Sequence, residues 1–173
     1  MINKIAKAKN AIFHSRILHL LVDYSPQVVS TILVELDTDQ SDIDIVCEYQ
    51  QQANFAANFS SYFGNYDSYS FKIYPEYVIG HFTESGFLFE VYAAQIPVTQ
   101  QLAYRHYQVM KRLVELGGEP LKQKIRALKY EGLKTEAAIC EVLKLNGDPY
   151  DAVLELELWS DDQLKFLFRC CVF

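Results

Sequence analysis

Basic charge is scarce in this sequence. Sixteen Lys and Arg stand against 22 Asp and Glu, which gives a net charge of −6. A general nucleic-acid binder carries the opposite balance, so no general nucleic-acid binding is expected. Many of the cations that are present crowd into residues 111–134, where they fit solvated helix faces or a local basic patch. No stretch approaches the ~18 consecutive apolar residues of a membrane helix, and no long apolar run follows the first lysines. Neither a membrane partner nor a signal peptide is therefore expected. The four cysteines, Cys47, Cys140, Cys170 and Cys171, lack the spacing of a zinc site, and the adjacent pair suits no ordinary disulfide. Reduced thiols in the cytoplasm are the expectation. Gly64, Gly80 and Gly86 form no phosphate loop. No Walker-type run, dinucleotide fingerprint or serine nucleophile elbow occurs, and repeats, low-complexity segments and a clear linker are missing too.

Apolar material is plentiful. Half of the 173 residues are hydrophobic, and 12 Tyr and 11 Phe accompany a single Trp, so a core can be built. The apolar stripe of Ile5, Ile12, Phe13, Ile17, Leu18, Leu20 and Leu21 predicts a helix over 3–23, interrupted near Asn10. Ser25-Pro26 stops it. Val28-Val29 leads through Ser30-Thr31 into Ile32-Leu33-Val34, a β-branched stretch that reads as strand. Period-2 alternation over 42–47 predicts the next strand. A helix over 50–62 follows, then aromatic strands near 69–74, 77–83 and 86–93, the last two joined by a hairpin turn at Ser85-Gly86. From Thr99, a candidate N-cap, helices run to the end, with breaks at Gly117-Gly118, Gly132 and Gly147-Asp148-Pro149 and a second candidate cap at Thr135. The pattern is α+β: a mixed sheet with flanking helices over 1–97 and a helical part over 98–173 packed on it.

The chemistry-bearing segment is Ser41-Asp42-Ile43-Asp44-Ile45-Val46. Two carboxylates one residue apart on a strand point to one face. Their oxygens can converge on a divalent cation such as Mg2+ or Mn2+, the kind of ion that bridges phosphates. An Asp-x-Asp pair is also the pattern of a half-exposed strand with Ile43 and Ile45 inward. Two features favour a site. The strand is strongly apolar and so reads as central, where carboxylates need compensation. Upstream, Ser30-Thr31 ends an apolar run and could present N–H and hydroxyl groups to a phosphate. Glu90, between Phe89 and Val91, either faces solvent or joins the same site.

These segments resemble the nucleotidyltransferase superfamily, also called polymerase-beta-like. There a Gly-Ser turn follows the first strand, an Asp-x-Asp follows on the next, and a third carboxylate lies on a later strand. Val29-Ser30-Thr31 matches the turn and Ser41-Asp42-Ile43-Asp44 the carboxylate motif. The chain is similar to a bacterial branch, domain-of-unknown-function family 4269. That likeness rests on Ser41–Glu48, Ile96-Pro97-Val98, Ala103-Tyr104-Arg105-His106, Gly132–Glu136 and Gly147-Asp148-Pro149-Tyr150.

The resemblance implies a nucleotidyltransferase-like sheet and transfer of a nucleoside monophosphate from a nucleoside triphosphate to an unknown acceptor. Asp42, Asp44 and Glu90 would be catalytic and metal-binding, and Ser30, Thr31 and Ser41 nucleotide-binding. Arg105, His106 and Lys134 are supporting candidates, although an ion pair tying helix to sheet, a structural histidine and a surface lysine are the favoured explanations. Ser30 occupies the superfamily's glycine position, and 35–39 carries Glu35, Asp37 and Asp39 where a cation is usual. Both departures support an alternative: a catalytically degenerate fold acting as a nucleotide-sensing or protein-interaction module.

Overall fold

The computed structural model describes residues 3–171 and divides into two compact units. The first comprises the chain up to Leu33 and Ser41–Tyr104; the second comprises Val34–Gln40 and the chain from Arg105 onward.

The first unit is built on a five-stranded sheet in the order β1-β2-β5-β4-β3. The strands are β1 (Gln27–Val28), β2 (Ile43–Glu48), β3 (Asp67–Ile73), β4 (Tyr77–Glu84) and β5 (Phe87–Ala94). β2 and β5 run parallel, and the other pairings are antiparallel, so the sheet is mixed as expected. Helices α1 (Lys4–Ser15) and α2 (Ile17–Leu20) precede it, and α3 (Gln52–Phe63) connects β2 to β3. The expected break in the first helix falls at Arg16, not near Asn10: Arg16 takes φ 55° and separates α1 from α2.

One sheet face makes the core. Ile43, Ile45 and Cys47 of β2 alternate inward beside Phe89, Val91 and Ala93 of β5, and all are buried. On α3, Phe55, Phe59 and Phe63 recur every four residues and so line one face of the helix. Phe63 stacks on Phe82 with centroids 4.5 Å apart, and Phe82 on Phe89 at 4.7 Å. Offset aromatic stacks of this kind add to area burial. Phe59 approaches the backbone of β4 at Gly80.

One expected strand is absent. Residues Thr31–Val34 form a 3-10 helix, and β1 ends at Val28. The Ser30 carbonyl accepts from the Leu33 N–H (3.1 Å), which starts a turn where β-branched side chains suggested extension.

The second unit is helical, with α4 (Leu102–Tyr130, its first residues belonging to the first unit), α5 (Thr135–Leu143), α6 (Pro149–Glu155) and α7 (Asp161–Cys171). Gly118 at φ 60°, ψ −156° breaks α4 where a break was expected. Neither expected threonine cap forms: Thr99 lies inside the 3-10 turn Val98–Gln100, and Thr135 is the first residue of α5, with Lys134 at the N-cap. Val34 and Leu36 join this unit's core with Leu113, Leu121, Ile125, Leu143 and Phe168. Lys129 donates to the Leu36 carbonyl, and Lys122 pairs with Glu35 (2.9 Å). Among the described residues, no helix is long and apolar enough to cross a membrane.

The close approach at Gly80 is testable. A Cβ there would lie 2.3 Å from the Phe59 ring, and that ring is fully buried among other aromatics and cannot swing away. Gly80→Ala should cost about 1–3 kcal/mol, the usual penalty of overpacking, read from urea unfolding followed by far-UV circular dichroism. An unchanged midpoint would mean that α3 and β4 are less tightly fitted than described.

Candidate functional site

The site is fixed by β2 and by the turn that follows β1. Val29 donates its N–H to the Asp44 carbonyl (2.9 Å) and so extends the β1–β2 pairing by one residue. Ser30 then donates its hydroxyl to the Asp42 carbonyl (2.6 Å), and its oxygen accepts from the Ile32 N–H (3.3 Å). The turn is thus tied to both aspartate positions of the motif. Ser30 is 1% exposed. It is not among the described residues with positive φ, so its backbone needs no glycine. Thr31, which opens the 3-10 turn, is half-buried, as is Ser41.

Parity places the acids. Asp42 and Asp44 are half-buried, whereas the intervening Ile43 and the following Ile45 are sealed in the core. The aspartates therefore lie on the sheet face opposite the phenylalanine stack. Asp44 is in register with Glu90 on β5, and Glu90 with His81 on β4. Partners in register point to the same face of neighbouring strands, about 4.8 Å apart. The Glu90 Oε2 lies 2.9 Å from His81 Nε2, and His81 Nδ1 lies 3.2 Å from the Ser70 hydroxyl on β3. A polar row thus crosses four strands as Asp44, Glu90, His81 and Ser70.

The three carboxylates expected to bind metal therefore share one face. Glu90, however, has one oxygen engaged with His81. Among the described residues, no group of three or more His, Cys, Asp or Glu side chains is set to hold a metal ion. The donor set is of oxygens, which suits Mg2+ or Mn2+. Cys47, on the buried face of β2, has its thiol raised far above the ordinary range by burial, and then by Glu48, so it is no nucleophile.

Two residues escaped the sequence reading. Glu48 ends β2 and accepts from the Val98 N–H (2.8 Å) and the Ser25 hydroxyl (3.3 Å). It borders a cavity of about 260 Å³ lined also by Gln27, Thr99 and Tyr104. His81 stands at no ligand spacing from the other histidines, but a two-residue turn at Ser85-Gly86 pairs Glu84 with Phe87 and, counting outward, His81 with Glu90. The hairpin carried that signal.

The three supporting candidates belong to the second unit and are engaged there or exposed. Arg105 grips Glu157 through Nη2 (2.6 Å) and Nε (3.2 Å to the same oxygen). His106 donates from Nε2 to the Tyr150 carbonyl (3.0 Å), and its ring packs edge-on against Tyr150. Lys134 is exposed at the start of α5.

A family model described as a domain of unknown function, DUF4269, matches residues 10–156. No curated protein matches the sequence. Among solved structures, the chain is similar to the Cid1 poly(U) polymerase bound to MgGTP, with a TM-score of 0.62 at 13% identity over 88% of this chain and 49% of that one. It is similar to a cytoplasmic RNA terminal U-transferase (0.57, 12%, 88% and 46%). It also resembles the polymerase core of TRAMP, an RNA surveillance complex (0.55, 17%, 96% and 57%). At such identities the likeness shows the fold, which is nucleotidyltransferase-like. The chain spans about half the length of these structures.

Two outcomes follow from these contacts. Ser30→Ala removes a buried hydroxyl and leaves the Asp42 carbonyl without it, which should cost about 1–2 kcal/mol in urea unfolding; wild-type stability would show that the turn is held without that bond. In the second unit, the Arg105 hydrogen bond, and then its charge, holds Glu157 below the usual carboxylate range. A lowered folded pKa stabilises above the unfolded value and loses that stabilisation as pH falls through the folded one. Glu157→Gln should therefore be slightly less stable than wild type at pH 7, and the gap should narrow as the pH falls below the ordinary carboxylate value of about 4.3, closing only below the lowered folded value, where the wild-type acid is protonated too. A gap that persists into acid would assign the difference to packing.

Proposed function

The chain belongs to the DUF4269 family, and on that premise we propose that it is a metal-dependent nucleotidyltransferase. It would transfer a nucleoside monophosphate from a nucleoside triphosphate to an acceptor that supplies a hydroxyl, phosphate or amine. The observation that carries this reading is the shared outer face of Asp42, Asp44 and Glu90, with the Ser30 turn tied to the Asp42 carbonyl. A sheet face with acids aligned across β2 and β5, backed by a rigid aromatic core, is suited to holding charge in fixed positions.

Asp42 and Asp44 would hold Mg2+ or Mn2+, with Glu90 completing the acidic face. When bound, the cation supplies neutralisation of the triphosphate charge. Thr31, in the turn after β1, and Ser41, just before β2, would meet phosphate oxygens with their hydroxyl groups. Ser30 acts through the backbone, holding the start of β2 in place. In the transfer, the acceptor atom bonds to the α-phosphorus and the bond to the bridging oxygen breaks. Pyrophosphate leaves, and the acceptor's proton passes to a base. Catalysis of this kind is mainly positioning and charge compensation.

A second reading has one observation in its favour. The Ser30 hydroxyl, which the superfamily pattern would offer to phosphate, is committed to the Asp42 carbonyl. A nucleotide-sensing or protein-interaction module without turnover would keep the fold and tolerate that commitment.

Calorimetric titration separates the two. Mg2+ or Mn2+ is titrated with and without each nucleoside triphosphate, against wild type and a folded Asp42→Asn/Asp44→Asn variant. The transferase reading expects metal-dependent triphosphate binding that weakens at least ~10-fold in the variant, the scale of about 1.4 kcal/mol. Binding that needs no metal and survives the double substitution would favour the sensing module, and no binding at all would end the transferase reading.

A further inference from the structure

The polar row on the sheet contains a residue that the proposed chemistry does not yet use. His81 Nε2 lies 2.9 Å from Glu90 Oε2, and the Ser70 hydroxyl lies 3.2 Å from His81 Nδ1. The three residues come from neighbouring strands, β5, β4 and β3. Both close contacts follow from strand register: His81 pairs with Glu90 across the β4–β5 hairpin, and Ser70 with His81 across β3–β4. An ionised carboxylate only accepts, so Nε2 must carry the hydrogen. The Ser70 hydroxyl can donate to Nδ1 and so favours that tautomer. Ser70 thus orients the ring, and the ring orients Glu90.

We propose that His81 is a positioning residue for Glu90: it fixes Oε2 and leaves Oε1 to serve the acidic face shared with Asp44. This inference rests on the transferase reading of that face. No hydrogen bond to Oε1 is made among the described residues. A carboxylate on an open strand can otherwise sample several rotamers, and an outer hydrogen bond to a ligating group commonly governs how well it binds. A stability role fits the geometry less well. The side chains are 27% and 43% exposed, and pairs that are open to water contribute little to folding.

Two substitutions and one spectrum test it. His81→Leu keeps bulk on the strand and removes the donor, whereas His81→Gln keeps a donor at the same register. Thermal melting should be nearly the same for both and for wild type. Mn2+ affinity, measured by calorimetry in the presence of triphosphate, should fall about 10-fold in His81→Leu and recover in His81→Gln. Where turnover is measured, kcat should fall in His81→Leu with KM for the triphosphate little changed. Wild-type affinity in a folded His81→Leu protein would overturn the proposal. The ring nitrogen spectrum of His81, recorded near pH 8.5 where an ordinary imidazole is neutral, should show the hydrogen on Nε2, and should become mixed in Glu90→Ala. A hydrogen on Nδ1, or a spectrum indifferent to Glu90→Ala, would also overturn it. Should wild type bind neither metal nor triphosphate, the transferase reading fails, and the ring spectrum still decides whether His81 holds Glu90.

Discussion

The parallel register between β2 and β5 is the constraint on which the rest of the first unit depends. Asp44 sits beside Glu90 because Ile43 sits beside Phe89 and Ile45 beside Val91. Side chains alternate with a period of two, so a slip of β2 by one residue would bring its aspartates into the phenylalanine core and expose its isoleucines. Burying carboxylates in an apolar core costs far more than any single contact on the face could return. The acidic face and the hydrophobic core are therefore one arrangement seen from two sides, and the core's stability is what aligns the acids.

The neighbouring register, of β5 against β4, is held by aromatic packing. Phe63, Phe82 and Phe89 stack in sequence from α3 through β4 to β5. Phe59 rests on Gly80, where no side chain intervenes. Interlocking rings pack at near-crystalline density and leave little room for a strand to slide. The hairpin turn at Ser85-Gly86 then transfers the β5 register to β4 without further adjustment, and His81 comes into line with Glu90 as a result. A polar network on one face is thus positioned by apolar packing on the other.

Legibility followed the range of the interactions involved. Alternation over 42–47 and the aromatic runs from 69 to 93 revealed the strands, because a period of two is a local signal. Asp42 and Asp44 could be placed on one face for the same reason, whereas Glu90 stood open between solvent and the site until its register with Asp44 was known. The stretch Ile32-Leu33-Val34 misled, because β-branched side chains favour strands only where a neighbour is available to pair. There the Ser30 carbonyl closes a tight turn instead. The membership of Val34–Gln40 in the helical unit was not readable at all: Lys122 and Lys129, which hold it, lie more than eighty residues away in sequence. Arg105 carried an ion pair in the reading of the sequence, but its partner, Glu157, emerged from the fold alone.

Ser30 shows why one departure from a superfamily pattern can carry two meanings. Glycine in a phosphate-facing turn gives positive φ or a close backbone approach. Ser30 needs no positive φ, so the first of those reasons does not apply to this chain. In exchange, the serine gives what glycine cannot: a hydroxyl that donates to the Asp42 carbonyl from within the core. That carbonyl lies just before β2 begins, and Val29 secures the Asp44 carbonyl two residues later. The two bonds fasten the turn to both aspartate positions, so the turn cannot move away from the acids independently. A turn that gains rigidity in this way gives up a side-chain contact to phosphate. The same substitution that weakens the family pattern thus strengthens the frame on which the pattern's carboxylates stand.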